Sequence, residues 1–295
     1  MLTFLQAIVI GLFQGVTELF PVSSLGHSVL IPAWLGWHNL VGAESDESFF
    51  LAFLVGLHVA TALALLVFYW RDWVRIVGGV LTSIRRRKVE TPDARLGWLI
   101  IVATIPAGLT GLIFEHKLRT QFAKPLAAAV FLTINGLILI AAERLRRRAS
   151  IRELATTGPQ STDSLEPGRR LDTMKYREAG VIGFFQIFAL LAGISRSGIT
   201  MAAGLLRGLD HEDAARFSFL LATPVILLAG LLKLPDLTGS LAAGQHGQIL
   251  VGSLCAFVSA LLAVRFLTRW FKTRTLWPFA IYCLAAGLIS IIRFA

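Results

Sequence analysis

GLFQGVTELFPVSSLGHS, residues 11–28, and GFFQIFALLAGISRSGIT, residues 183–200, are two copies of one unit set 172 positions apart. Over the longer alignment of residues 7–28 with 179–200, 9 of 22 positions are identical, among them Gly11/Gly183, Phe13/Phe185, Gln14/Gln186, Ser23/Ser195 and Gly26/Gly198. Each copy joins a strongly apolar run to a Ser/Gly-rich polar turn. Copy one adds Glu18 and His27, and copy two adds Arg196. A carboxylate, an imidazole, hydroxyls and a guanidinium within duplicated apolar sequence predict one composite polar site inside a membrane.

The rest of the chain supports the membrane reading. Of its 295 residues 55% are hydrophobic and 16% charged, against about 25% charged in a soluble domain. Apolar stretches over residues 49–70, 96–114, 125–142, 217–232, 249–266 and 276–292 approach the roughly 20 residues that cross a bilayer. A net charge of +10 would suit a nucleic-acid partner in a soluble chain. Here the enrichment of basic residues in cytoplasmic loops accounts for it better. Cys255 and Cys283 lie in apolar runs with neither disulfide nor metal spacing. The first apolar run has no Lys or Arg before it, which argues against a cleavable signal peptide.

The basic residues order the spans. Twenty of the 28 Lys and Arg fall in three segments: seven in residues 71–95, nine in 144–177 and four in 265–274. Placing these three segments in the cytoplasm makes the loops alternate correctly across all six spans. Copy one then enters from outside and returns there, and copy two enters from inside and returns there. Three spans separate the copies, so the second is inverted relative to the first. Inverted repeats with broken helices meeting near the midplane are an established membrane architecture. The expected fold is thus an all-α integral membrane protein: an inverted-topology repeat with two re-entrant helical hairpins and about six spanning helices. Residues 1–148 form the first repeat, 149–178 a polar cytoplasmic linker and 179–295 the second repeat, in one membrane domain. A full span over residues 2–20 with a return through 27–41 has the same parity and stays open.

The polar residues suggest the chemistry. Gln14 and Glu18 share a helical face, and Ser24 and His27 lie a short reach away around the turn. An ionisable residue in an apolar membrane segment is by default a functional-site candidate; Glu18 could instead be a structural partner of Arg196. In copy two, Ser195, Arg196, Ser197 and Gly198 lead into an apolar run, so backbone N–H groups at a helix start could bind an anion. Arg196 supplies a bidentate fork for phosphate, and Thr200 stands one turn further on. Residues 193–197 superficially resemble a nucleophile elbow, but that motif needs a strand–turn–helix context which this chain lacks.

These motifs resemble those of the bacterial undecaprenyl-diphosphate phosphatases, the bacitracin-resistance phosphatases. The family's first motif, Glu/Gln-x3-Glu then Phe-x-Pro-x-Ser-Ser-x-Gly-His, reads here Gln14-x3-Glu18 through Phe20-Pro21-Val22-Ser23-Ser24-Leu25-Gly26-His27. Its second, Pro-Gly-x-Ser-Arg-Ser-Gly-x-Thr, reads Ala192-Gly193-Ile194-Ser195-Arg196-Ser197-Gly198-Ile199-Thr200. Similar features recur at His58-x2-Thr61, at residues 104–108 and at 217–224, so the resemblance covers nearly the whole chain. It implies hydrolysis of undecaprenyl diphosphate to undecaprenyl phosphate, the lipid carrier for cell-wall polymers, in the bacterial cytoplasmic membrane. The site would open to the extracytoplasmic side and use a divalent cation, Mg2+ or Ca2+. By position, Glu18, Ser24, His27 and Arg196 are the catalytic candidates. Ser23, Ser195, Arg196, Ser197, Gly198 and Thr200 are the phosphate-binding ones, and Glu18, with Gln14, is the metal candidate. Gln14 replaces the more usual first Glu, weakening a two-carboxylate metal site, and Ala192 replaces the usual Pro.

The expected mechanism has Arg196 and the turn at 195–198 holding the diphosphate, with Ser24 attacking phosphorus and His27 as general base or proton shuttle. Direct attack by water is the alternative. The expected partners are a polyprenyl diphosphate lipid and membrane lipids, with no nucleic acid; a homodimer is compatible with such a chain. A lipid-phosphate transporter or flippase, or a dual phosphatase-transporter, is the rival reading, because inverted repeats with a midplane polar site are also transporter architecture.

Overall fold

A backbone that crosses lipid has no water to satisfy its N–H and C=O groups, so apolar runs of this length fold as helices. A computed structural model of the chain describes residues 2–37, 40, 49–122, 124–157, 170–232 and 244–295. Its helices are α1 (Phe4–Leu19), α2 (Ser24–Trp34), α3 (Phe49–Phe68), α4 (Trp70–Arg86), α5 (Pro92–Phe122), α6 (Pro125–Thr157), α7 (Tyr176–Gln186), α8 (Arg196–Leu206), α9 (His211–Leu232), α10 (His246–Trp270) and α11 (Trp277–Phe294). Short 3-10 turns occupy Leu171–Thr173 and Ile187–Leu190. There is no β-strand among the described residues. Five helices are long and apolar enough to cross a membrane, within α5, α6, α9, α10 and α11, and the bent pair α3–α4 makes a sixth candidate. All six spans expected from sequence therefore find a helix.

The two motif copies are built differently from the spans. Helix α1 has 16 residues, so at about 1.5 Å per residue it runs roughly 24 Å, short of the roughly 30 Å apolar core of a bilayer. Helices α2, α7 and α8 have 11 residues each. Each copy is a pair of short helices broken at a turn, at residues 20–23 in one and 191–195 in the other. Of the two options open in the sequence for residues 2–20, this length favours the broken hairpin over a full span.

Two stretches expected as loops are partly helical. Residues 71–86, in the first basic segment, belong to α4, which leaves α3 at a bend of 85°. Val74, Val77, Leu81 and Ile84 recur on one exposed stripe, flanked by Arg71, Arg75, Arg85 and Arg86. An apolar stripe beside a basic one is the pattern of an amphipathic surface helix. Likewise α6 runs on through residues 149–157 of the expected linker, residues 158–169 lie outside the described residues, and α7 starts at Tyr176.

The packing exchanges partners between the copies. Helix α1 lies on α10 and its motif equivalent α7 lies on α5, while α3 packs on α9 and α6 on α11. The equivalent glycines carry this exchange. A Cβ added to Gly11 would meet the Gly252 backbone of α10, and one added to Gly183 would meet the Ala103 backbone of α5. Small residues let membrane helices approach this closely. The larger apolar core, with Leu132, Leu139, Ile182, Phe217 and Phe219, runs through most of the helices, and a smaller one joins Ile10, Phe53, Leu57 and Ala256.

Candidate active site

The two turns meet. Ser23 and Ser195 occupy the same motif position and do the same local work: each caps the following helix, Ser23 Oγ accepting from Gly26 N at 3.2 Å and Ser195 Oγ from Gly198 N at 3.1 Å. A side-chain cap satisfies one of the N–H groups that a helix start leaves unpaired. Two further bonds clamp copy one to copy two, and a third ties copy one to α6. Gly193 N donates to Ser23 Oγ at 3.2 Å, Ser197 Oγ to the Phe20 carbonyl at 3.1 Å, and Asn135 Nδ2 to the Pro21 carbonyl at 2.9 Å. Asn135 Oδ1 in turn accepts from Ser195 N at 3.0 Å, so one fully buried amide on α6 holds both turns. Gly193 adopts φ +112°, and a Cβ there would run into the α6 backbone at Ala128 and Leu132; only glycine fits.

Positions 24 and 196 are also motif equivalents, each the first residue of its helix. One brings a hydroxyl and the other a guanidinium, and both contact Glu18. Glu18 Oε1 pairs with Arg196 Nη2, and Glu18 Oε2 accepts from Ser24 Oγ and, at 3.1 Å, from Gln14 Nε2. His58 Nε2, from α3, stands 3.2 Å from the same Oε2. Arg196 Nη1 donates to the Ala222 carbonyl of α9 at 3.3 Å. Glu18, Ser24 and the Arg196 side chain are largely or fully enclosed, while the His58 side chain is 25% exposed.

His58 Nδ1 lies 2.7 Å from the Leu54 carbonyl. A carbonyl can only accept, so Nδ1 carries a proton. Nε2 then faces the Glu18 carboxylate oxygen.

His27 is placed elsewhere than on Ser24. Its Nδ1 donates to the Ser23 carbonyl at 2.7 Å and its Nε2 accepts from Tyr282 Oη at 2.7 Å. Ser23 has φ 70°, a conformation costing a non-glycine residue about 1–3 kcal/mol. His27 thus braces the strained turn that presents Ser24. Thr200 is enclosed, its hydroxyl donating to the Arg196 carbonyl at 2.7 Å and lying 2.7 Å from Ser218 Oγ. Ser195 Oγ and Ser197 Oγ are 3.0 Å apart. The hydroxyls of Ser23, Ser195, Ser197 and Thr200 are therefore committed to building the turns. What an anion could still engage is the Arg196 guanidinium, by competing with Glu18 and the Ala222 carbonyl, and the first N–H groups of α8.

Among the described residues no cluster of three or more His, Cys, Asp and Glu could hold a metal ion. One observation does favour a shared cation site. Gln14 Oε1 is buried beside Glu18 with no hydrogen-bond partner, an orphaned oxygen of the kind that hard cations take. Mg2+ is usually bound by one or two protein oxygens plus substrate phosphate.

Of the residues in this network, sequence reading assigned no site role to His58, Asn135 or Tyr282. His58 and Asn135 are polar residues inside apolar spans, the same signal that marks Glu18. Tyr282 carries no such mark.

The family model for bacitracin resistance protein BacA matches residues 7–289. "Undecaprenyl-diphosphatase 2" of Frankia alni is 57% identical, covering 100% of this chain and 98% of the relative. "Undecaprenyl-diphosphatase" of Mycolicibacterium paratuberculosis is 56% identical with the same coverage, and that of Granulibacter bethesdensis is 44% identical, covering 96% and 94%. These relatives bear a diphosphatase's name, which lends no support to a transporter reading. With its membrane-capable helices, both motifs in one network and a match over nearly its whole length, the chain is a multi-pass membrane protein and belongs to the bacitracin resistance protein BacA family.

Proposed function

We propose that this protein hydrolyses undecaprenyl diphosphate to undecaprenyl phosphate and inorganic phosphate. The observation that carries the reading is the position of Glu18, whose carboxylate spans an anion-binding guanidinium from copy two and a hydroxyl nucleophile from copy one. Arg196 and the N-terminus of α8 take the diphosphate, and their preorganised charge favours the phosphoryl-transfer transition state. Ser24 Oγ attacks the terminal phosphorus, the bond to the bridging oxygen breaks, undecaprenyl phosphate leaves and the serine proton passes to Glu18. Water then adds to the phosphoserine as Glu18 returns that proton to Ser24 Oγ, and inorganic phosphate carries away both hydrogens of the water. His58, against Glu18 Oε2, adds an imidazole beside the place where the diphosphate docks. A divalent cation, Mg2+ or Ca2+, bound by Glu18 and the amide oxygen of Gln14, would supply further neutralisation of phosphate charge.

The partner exchange of α1/α10 and α7/α5, together with the charge map, supports an inverted arrangement of the two halves in a bacterial cytoplasmic membrane, with the site open to the extracytoplasmic side. Phosphate release by the purified protein in detergent tests the activity, since no two-sided membrane exists there. Release from undecaprenyl diphosphate that vanishes in Ser24→Ala and Arg196→Ala is the expected result. An Arg196→Ala variant with near-normal turnover refutes the cradle. Acid-stable phosphoserine at residue 24 after a quench separates covalent catalysis from direct attack by water.

A further inference from the structure

A cavity lies away from Glu18, where the ends of α3, α9 and α10 converge. Phe68, Tyr69, Arg216, Arg269, Phe271 and Lys272 line a space of about 310 Å3. Tyr69 is 11 residues beyond His58 on the same chain segment, roughly 16 Å along a helix at about 1.5 Å per residue, so this cavity is separate from the candidate active site. Its rim holds three cations. Arg216 donates to Asp72 at 2.7 Å and Lys272 stands 3.8 Å from Glu212, whereas Arg269 has neither hydrogen bond nor ion pair among the described residues. Tyr69 is only 6% exposed, and its hydroxyl is buried with no hydrogen-bond partner, within the field of Arg216, Asp72 and Glu212. A buried donor left unpaired is costly, and an acceptor in the cavity would relieve it.

The remaining wall is formed by Phe68, Ala215 and Phe271 together with Thr268 and with Glu212, the carboxylate that Lys272 faces. Its apolar part gives a phosphate carried on an apolar tail a contact that a free ion does not use. The cavity also sits among the segments 71–95 and 265–274, the basic ends of the spans, and basic pockets between spanning helices on that side suit anionic headgroups. We propose that this cavity seats the phosphate headgroup of an anionic phospholipid, with Tyr69 Oη donating to a phosphate oxygen and Arg269 and Lys272 neutralising its charge. The proposal is independent of the hydrolytic reading.

The test uses the full-length protein in neutral detergent, titrated with phosphatidylglycerol while its melting temperature is followed, with phosphatidylcholine and inorganic phosphate as separate arms. Phosphatidylglycerol is expected to raise the melting temperature and phosphatidylcholine to leave it unchanged. In R269A/K272A the concentration giving half the effect should rise on the order of thirtyfold, from about 1 kcal/mol for each basic side chain removed. Tyr69→Phe should weaken the response in the same direction, and R85A/R87A, with equal loss of charge outside the cavity, should match the parent chain. Turnover in neutral detergent is expected unchanged in all variants, which verifies their folding. An unaltered response in both R269A/K272A and Tyr69→Phe, or an equal loss in R85A/R87A, overturns the site. A stabilisation by inorganic phosphate equal to that by phosphatidylglycerol overturns the lipid and leaves a free-anion site.

Discussion

Glu18 receives contacts from four segments: Gln14 on its own helix, Ser24 from α2, His58 from α3 and Arg196 from α8. Replacing it by Gln keeps the shape but removes the charge that Arg196 pairs with and the base that takes the serine proton. Glu18→Gln should lower kcat by about 10^2–10^4-fold while the protein still inserts and folds; a loss under tenfold in single-turnover phosphate release contradicts the base assignment. His58 sets an imidazole against Glu18 Oε2. His58→Gln should lower kcat in single-turnover phosphate release, and an unchanged rate contradicts a part for His58 in the site. Gln14→Glu would supply the carboxylate that this chain lacks, and should lower the Mg2+ concentration for half-maximal rate. Asn135 belongs to the same scale although it touches no reacting atom. Asn135→Leu leaves Ser195 N unpaired, at about 1–3 kcal/mol, and leaves the Pro21 carbonyl only the Cys283 thiol at 3.7 Å. A lower midpoint of thermal unfolding in detergent, with turnover reduced, is the expected outcome.

At the scale of elements, the duplicated turns are one device used twice. Ser23 and Ser195 cap α2 and α8 in the same way, and the helix that follows begins with Ser24 in one copy and Arg196 in the other. This much is legible in sequence, because a cap acts over three residues and the Ser-x-x-Gly spacing is common to both copies. The role of His27 is not legible. Its proximity to Ser24 in sequence suggests a base, yet the backbone direction turns its ring onto the Ser23 carbonyl and Tyr282, a residue 255 positions away. Helix α4 is a second element that apolar-run reading passes over, since charge dilutes its stripe. Leu81 lies on its exposed apolar stripe, whereas Arg86, five residues on, points roughly to the opposite side. With Cys255 and Cys283 replaced by Ala, Leu81→Cys in sealed vesicles should resist a membrane-impermeant thiol reagent while Arg86→Cys reacts. Equal labelling contradicts an interfacial α4.

At the scale of the whole molecule, the site exists only where the halves interlock. Neither motif copy holds both the hydroxyl and the guanidinium, and Asn135, from a third segment, joins their turns. The inverted arrangement predicts a labelling pattern. Cysteines at Lys88, Arg148 and Arg274 should react from one face of sealed vesicles, and those at Lys124 and Gly244 from the other. Labelling of Arg274 and Gly244 from the same face would exclude α10 as a span.

What the sequence by itself determined follows from composition and local spacing. Runs of apolar residues dictate helices in lipid, basic clusters dictate which ends share a side, and a repeated Ser-x-x-Gly dictates two capped turns. The candidates Glu18, Ser24 and Arg196 also stand out, because charge and hydroxyls in apolar runs are costly unless used. Tertiary structure alone decided which of these groups touch. The contacts Glu18–Arg196 and Asn135–Pro21 span 178 and 114 residues, and His58 comes from a helix outside both motifs. No local rule encodes such distances. They arise from the exchange of α1 onto α10 and α7 onto α5, where glycines let backbones meet closely enough to bring two short turns onto one carboxylate.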